Sequence, residues 1–153
     1  MKRYLYMVVG VLTTLLCATS CEDNYYIEND LHGVWQVTSI ENLSTNEITE
    51  IPGDLYYMFQ RTMVMLCQNY ETPESMSRVI AHFDFIEPDS IGMGGFRVYT
   101  TGEGANINNE NKVTIKSLNK FGIYQDYTTF HLVQSKQRMT LTSDSARIEL
   151  RKY

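Results

Sequence analysis

Short runs of β-branched and aromatic residues, separated by turn-forming residues, recur from residue 31 to the end of the chain. This spacing is typical of short β-strands joined by turns. Eight runs are predicted to be strands, the seventh being a hairpin of two: residues 34–40, 56–60, 63–67, 79–86, 96–100, 112–116, 128–133 with 139–141, and 147–151. The runs 56–60 and 63–67 are also compatible with one bent strand. Such chains form a sandwich or a closed barrel, and closure is favoured because it leaves no strand edge exposed. We therefore expect an all-β fold, a single antiparallel β-barrel of about eight strands.

The alternation of apolar and polar residues supports this prediction. In residues 79–86 the apolar side chains fall on every second position, so one face of the strand belongs to the core. In the last run Ile148 and Leu150 alternate with charged residues in the same way. Only residues 117–124 are compatible with a helix, and Gly122 limits its length. At most one short helix is expected.

Length and charge exclude several classes of protein. The 153 residues, 43% of them hydrophobic, are enough for one compact domain. Thirteen basic and eighteen acidic side chains give a formal net charge of −5. A chain that binds a phosphate backbone normally carries an excess of positive charge, so no nucleic-acid partner is expected.

The first twenty residues have the pattern of a signal peptide. Lys2 and Arg3 precede an uncharged, mostly apolar run at residues 4–16. A membrane-spanning helix needs about 20 apolar residues, and this run is shorter. We therefore expect residues 1–20 to be removed rather than retained as a membrane span.

The junction after this run resembles a bacterial lipobox. Residues 16–21 are Leu-Cys-Ala-Thr-Ser-Cys, in which small side chains precede a cysteine that would carry a diacylglycerol thioether. Cys21 then becomes the first residue of the mature chain and its acyl anchor to a membrane. Residues 21–30 are expected to be a tether, and residues 31–153 the barrel domain. The alternative is an ordinary secretory signal cut near Ser20.

The three cysteines then have separate fates. Cys17 leaves with the signal peptide and Cys21 is acylated, so Cys67 alone keeps a thiol. No disulfide is expected within the mature chain. Cys67 lies in an apolar run and is predicted to be a buried small side chain rather than a nucleophile.

One short motif resembles the opening of lipocalins and related barrels. Residues 31–37 contain Gly33-x-Trp35, at the start of the first predicted strand, and Trp35 is the single tryptophan of the chain. The resemblance implies that Trp35 plugs the closed end of the barrel and that an arginine of the last strand lies across its ring. Arg151 is the expected partner, with Arg147 second. The alternative is that Trp35 is an ordinary core aromatic.

With the lipobox, the whole chain resembles the small lipocalin-like lipoproteins of Bacteroides-type bacteria. Glu22 and Asp23 follow the lipidated cysteine, as in export signals that send such lipoproteins to the outer face of the outer membrane. We therefore expect a protein anchored by lipid to the outer membrane. The acidic residues favour exposure at the cell surface, and the alternative is that they carry no export signal. The chain is shorter than typical lipocalins and lacks their disulfide.

No motif for catalysis or metal binding is present in the sequence. His32, His82 and His131 do not have the spacing of metal ligands. The glycines of 92–95 lack the lysine and helix of a phosphate-binding loop and are predicted to form a turn or bulge. We therefore expect neither an enzyme nor a bound metal or cofactor.

The resemblance implies that the barrel binds a small apolar or amphipathic molecule in its mouth. An eight-stranded barrel can hold one small ligand or be filled by its own side chains. A filled barrel would instead be a surface interaction module for an envelope protein or a glycan. The candidate ligand-binding or rim residues in either case are Tyr56, Tyr57, Tyr99 and Tyr127.

Overall fold

The computed structural model describes residues 31–51, 53–68, 78–99 and 113–153. The predicted signal peptide and tether lie outside the described residues, and so does Cys21. Processing, lipidation and the domain boundary at residue 31 therefore stay predictions.

The described residues form nine antiparallel strands. They are β1 (Gly33–Asn42), β2 (Glu47–Glu50), β3 (Leu55–Gln60), β4 (Met63–Gln68), β5 (Arg78–Glu87), β6 (Ser90–Tyr99), β7 (Tyr127–Gln134), β8 (Arg138–Thr142) and β9 (Ala146–Lys152). The sheet runs in the order β2-β1-β3-β4-β5-β6-β7-β8-β9, and an additional pairing of β1 with β9 closes it. β2 and β3 share one edge of β1. The fold is thus a closed eight-stranded barrel with one extra strand, which confirms the predicted fold class.

The two ends of the barrel are distinguished by the register of β1 and β9. At one end β1 begins and β9 finishes, and Trp35 lies opposite Lys152. At the other end β1 finishes and β9 begins, and Asn42 lies opposite Ala146. We name the first the Trp35 end, and the second the Phe121 end after the residue that covers it. The β3–β4 turn is at the Trp35 end and the β8–β9 turn at the Phe121 end.

A short helical segment between β6 and β7 covers the Phe121 end. Ile115–Leu118 form helix α1, and Asn119–Phe121 continue as a 3-10 turn. Gly122 follows with φ 75°, a left-handed conformation that favours glycine, so it limits the helix as predicted. The ring of Phe121 is fully buried, 6.5 Å from that of Tyr57 inside the barrel. Among the described residues, no helix is long and apolar enough to cross a membrane.

Two strand predictions need correction, and one strand was missed. The prediction of a strand at 112–116 is wrong in its described part, because this segment enters α1 across the barrel end and pairs with no strand. β6 begins at Ser90 rather than at residue 96. The runs 56–60 and 63–67 form two separate strands, as predicted, and not the alternative of one bent strand. β2 was not predicted, because all four of its side chains are exposed and show no alternation.

The glycines of β6 have two different roles. Gly95 has φ 70° and lies where β6 carries one more residue than β5, so the predicted bulge is confirmed there. Gly92 and Gly94 are regular strand residues whose outer face is covered by the ring of Tyr127. A Cβ atom at Gly92 would overlap the Tyr127 hydroxyl oxygen, and one at Gly94 would lie 2.7 Å from its ring. Only glycine leaves room for the ring at these positions.

Candidate functional site

Trp35 closes one end of the barrel, and the cation beside it is a lysine. The indole is fully buried, and its Nε1 donates a hydrogen bond to the Leu31 carbonyl at 2.8 Å. Lys152 Nζ lies 4.3 Å from the ring centroid and donates to the His32 carbonyl at 2.6 Å. Gly33 has φ 122°, and a Cβ there would lie 3.2 Å from Lys152 Nζ, so this glycine leaves space for the ammonium group.

The prediction that Arg151 covers Trp35 is therefore wrong. In β9 the side chains of Ala146, Ile148 and Leu150 are buried in the core, and Lys152 continues this inward series. Arg151 lies on the opposite face, where its Nε donates to Gln36 Oε1 at 2.7 Å. The second choice, Arg147, also faces outward and pairs with a glutamate of β1.

The two adjacent tyrosines of β3 are both buried, on opposite faces of the sheet. Tyr57 points inward, and its hydroxyl donates to the Phe121 carbonyl at 2.5 Å. Burial raises the pKa of Tyr57 far above its usual value. Tyr56 points outward, where its hydroxyl donates to the Gly53 carbonyl at 2.8 Å and receives a hydrogen bond from Gln36. Neither tyrosine is exposed at a rim, so the predicted rim position is wrong for both, and their predicted role in ligand binding stays a prediction.

Aromatic side chains fill the described interior. The rings of Phe59 and Phe83 meet edge to face with centroids 5.2 Å apart, and Tyr57 stacks on Phe59 at 6.1 Å. The largest fully buried side chains are Trp35, Tyr57, Phe83, Phe121, Phe130, Leu31, Leu66, Ile91, Met93, Leu118, Ile123 and Met139. A ligand at these positions would have to displace side chains that already pack together.

Tyr99 and Tyr127 lie on the outer surface, with 39% and 56% of their areas exposed. Tyr99 ends β6 at the edge of the barrel, next to Val98. Val98 shares a face with the buried Val79, to which it is paired, yet it is 38% exposed. The interior face is thus accessible at this position.

A polar pocket of about 520 Å³ lies at the side of β6–β8 and reaches the β8–β9 turn. We name it the hydroxyl pocket. Its lining residues are Ser90, Tyr124, Gln125, Tyr127, Thr128, Thr129, His131, Thr142, Ser143, Asp144 and Ser145. The side chains of Tyr127, Thr129, Thr142 and Asp144 have no hydrogen-bond partner within the described part of the chain. These groups are available to a ligand. Sequence reasoning selected Tyr127 alone among them, because the others are contributed by separate strands and turns.

A serine, a histidine and an aspartate lie together beside this pocket, but they are not arranged as in a catalytic triad. His131 Nε2 lies 3.2 Å from Asp89 Oδ2, and both side chains are more than half exposed. Ser90 Oγ donates to the other oxygen of Asp89, at 3.4 Å, so the hydroxyl is directed to the carboxylate rather than to the imidazole. A nucleophilic serine instead needs a base that accepts its proton. The arrangement therefore gives no support to catalysis.

An apolar groove of about 750 Å³ lies on the outer face of the barrel at its Trp35 end. We name it the methionine groove. It is lined by His32, Gly33, Val34, Met58, Phe59, Gln60, Arg61, Thr62, Met63, Val64, Met65 and Ile80. Of these residues, only His32 and Gly33 were considered as candidates from the sequence. The partly exposed Val34, Met58, Met65 and Ile80 come from four strands and share the outer face only through their register.

The remaining candidates for reactive or metal-binding groups are the Cys67 thiol and clusters of His, Cys, Asp and Glu side chains. Cys67 is a buried free thiol, as predicted. Burial raises its pKa, while the nearby charge of Arg78 acts in the opposite direction. In the described ranges, no three His, Cys, Asp or Glu side chains are close enough to hold a metal ion.

Comparison with known proteins agrees with this geometry. The model of the lipocalin-like domain family matches residues 14–153. The chain belongs to this family. No curated protein matches the sequence. The fold is similar to the crystal structure of a lipocalin-like protein from Bacteroides uniformis, at 16% identity and a TM-score of 0.55, over 81% of this chain and 99% of that one. It is also similar to an uncharacterized protein from Bacteroides eggerthii, at 15% identity and a TM-score of 0.57, over 80% of this chain and 98% of that one.

Membership of the family confirms the resemblance carried by Gly33 and Trp35. A lipocalin-like barrel is typically a binding protein rather than an enzyme. The structural neighbours share the fold with this chain at low identity, so the ligand has to be argued from its own residues.

Proposed function

We propose that this chain is an outer-membrane lipoprotein, anchored through Cys21, whose filled barrel binds its ligand on the outer surface without catalysing a reaction. The observation that carries this proposal is the packed interior, in which Tyr57, Phe59 and Phe83 contact one another and Tyr57 is bonded to the chain at Phe121. An eight-stranded barrel is just wide enough for such filling. The filled barrel, the second hypothesis of the sequence analysis, is thus favoured over a ligand in the mouth.

The hydroxyl pocket is the binding site that we propose, with a carbohydrate as its ligand class. Tyr127 presents an exposed ring to which the C–H face of a sugar can stack. Thr129, Thr142 and Asp144 supply two hydroxyl groups and one carboxylate without partners among the described residues, which suit the vicinal hydroxyls of a sugar. The pocket volume of about 520 Å³ lies in the range of small-molecule sites.

A glycan array probed with the mature chain tests this site. We expect binding to a subset of neutral oligosaccharides and a loss of at least about tenfold in affinity for Asp144→Asn, since the partner hydroxyls would lose a charged acceptor. Glu87→Gln, at the far end of β5, removes one exposed carboxylate outside the pocket and is the matched control. Equal losses in both variants, or no binding to any glycan, would refute the carbohydrate site.

A small amphipathic ligand inside the barrel is the second candidate, because the inward-facing Val98 is exposed. A fluorescent fatty acid would then bind saturably and accept energy from Trp35. Val98→Trp should block this entry, whereas Val133→Trp, on the outer face of β7, should not. Saturable binding that Val98→Trp abolishes would favour the interior site over the filled barrel.

The lipid anchor has its own test. Cys21→Ala should abolish metabolic labelling by a radioactive fatty acid and leave the uncleaved precursor, because the thioether is made on this sulfur. Labelling that persists in the variant would show that Cys21 is not the acylated residue.

A further inference from the structure

Four apolar side chains form a straight row across the methionine groove. Val34 lies directly opposite Met58, Met58 opposite Met65, and Met65 opposite Ile80. All four are partly exposed on the outer face of the barrel. Met63, at the β3–β4 turn, adds a further side chain that is 39% exposed. Aligned side chains on one face interact across strands, so the row is one continuous apolar surface.

The charged groups of this surface are positive, although the chain as a whole is acidic. Among the described residues that line the groove, Arg61 is the only charged one other than histidine, and it is exposed. Arg97 continues the row beyond Ile80, to which it is paired. On the outer face of β5 the first carboxylate is Asp84, four residues beyond Ile80 and towards the β5–β6 turn. A chain with a formal charge of −5 thus presents two arginines around an apolar groove whose described lining residues include no carboxylate.

The groove also lies where the anchored chain enters the barrel. His32 and Gly33 belong to its lining and directly follow Leu31. Nine residues separate Cys21 from Leu31. At a maximum of about 3.6 Å per residue, such a tether spans roughly 30 Å even when fully extended. An acyl chain on Cys21 therefore keeps the Trp35 end within this distance of the bilayer.

We propose that the methionine groove is a membrane-docking surface, in which the methionines enter the headgroup region and Arg61 and Arg97 contact anionic lipid headgroups. Methionine suits this role because its flexible, polarisable side chain adapts to irregular apolar surroundings. The proposal uses the Cys21 anchor only to hold the Trp35 end of the barrel near the bilayer. The groove itself should bind lipid without an acyl chain.

Docking would fix the orientation of the barrel. The groove lies at the Trp35 end. The hydroxyl pocket, apart from Ser90 at the β5–β6 turn, is lined by the first part of β7 with the residues before it and by the β8–β9 turn, towards the Phe121 end. A barrel that rests on the groove therefore presents the pocket away from the bilayer. The membrane contact and the proposed ligand site would not compete.

Sedimentation with lipid vesicles tests the docking surface. The protein is the mature chain with Cys21→Ala, so that binding cannot come from the anchor, and the vesicles are phosphatidylcholine alone or mixed with an equal part of phosphatidylglycerol. We expect binding to the mixed vesicles and a loss of at least about tenfold for Met65→Glu, since a charge in the apolar row opposes insertion. Val133→Glu changes an exposed apolar residue of β7 outside the groove and should bind as before.

Two further variants make the result specific. Arg61→Gln should weaken binding to the mixed vesicles about fivefold, the effect of roughly 1 kcal/mol per basic residue at an anionic surface, and leave phosphatidylcholine binding unchanged. Met63→Glu replaces Met65→Glu if the latter fails to fold, because Met63 is the more exposed.

Three outcomes would overturn the proposal. One is no binding to either vesicle, and another is equal binding by Met65→Glu and Val133→Glu. The third is a dimer of the chain that Met65→Glu converts to a monomer, with no binding to vesicles, which would make the groove an interface between two copies. Fatty-acid labelling of Cys21 is measured separately, so a failure of docking is distinguishable from a failure of the anchor.

Discussion

Replacing Lys152 by methionine should destabilise the Trp35 end of the barrel. The variant keeps a long aliphatic side chain but removes the ammonium group, which lies 4.3 Å from the indole centroid and donates to the His32 carbonyl at 2.6 Å. A cation–π contact contributes about 0.5–2 kcal/mol to stability, and a hydrogen bond that involves a charged group contributes a net of about 1.5–3 kcal/mol. Because Lys152 is partly exposed, we expect a net loss of roughly 1–3 kcal/mol. For a domain of this size that lowers the Tm by roughly 4–12 °C.

Thermal unfolding followed by circular dichroism and by Trp35 emission measures this effect. Arg151→Met is the matched control on the same strand, because Arg151 faces outward and contacts Gln36 rather than the indole. It should lower the Tm less than Lys152→Met and leave the emission maximum unchanged, whereas Lys152→Arg should restore most of the stability. A larger loss in Arg151→Met, together with a shifted emission, would refute the assignment of Lys152.

The buried Cys67 thiol, the buried Tyr57 hydroxyl and the contact of Gly92 with Tyr127 each lead to a testable prediction. Burial raises the pKa of Cys67, so a thiol reagent at neutral pH should label the native chain at least about tenfold more slowly than the unfolded chain. Burial raises the pKa of Tyr57 in the folded state, so the stability it contributes is complete below the unfolded pKa of about 10 and declines above it. Urea unfolding should therefore show a cost of about 1 kcal/mol for Tyr57→Phe near pH 8 and a smaller cost near pH 11. Gly92→Ala should displace the Tyr127 ring and shift its NMR resonances, and unchanged resonances would contradict the close contact.

The alternation of inward and outward side chains in β9 is enough to predict which residue of this strand lies beside Trp35. Ile148 and Leu150 were correctly predicted to face the core. With a period of two, the next inward position is Lys152 rather than Arg151. The expectation of an arginine came from the family resemblance, and the alternation within the same strand contradicts it. Trp35 itself is buried as expected, because the motif with Gly33 marks the start of β1.

Other features depended on contacts between distant parts of the chain. Gly92 and Gly94 resemble turn residues in the sequence, yet they continue β6 because the Tyr127 ring covers them from β7. Residues 113–116 alternate like a strand, but the segment enters a helix that crosses the barrel end. Tyr56 and Tyr57 point to opposite faces because neighbouring side chains of a strand alternate. The register of β3 against β1 decides which of the two faces the core, and alternation alone does not give this.

The filled interior explains why membership of a binding family does not locate the ligand here. The inward positions of β3 and β5 carry Tyr57, Phe59 and Phe83, whose rings occupy the centre of the barrel, and Phe121 closes it from one end. An eight-stranded barrel has room for these rings or for a small ligand, and these rings already take the central space. The polar groups of the hydroxyl pocket that lack a partner among the described residues and the exposed apolar row are both on the outer surface, on different strands of the barrel. Close-packed interiors have low compressibility, so we expect the filled barrel to hold the docking surface and the ligand site at a constant separation.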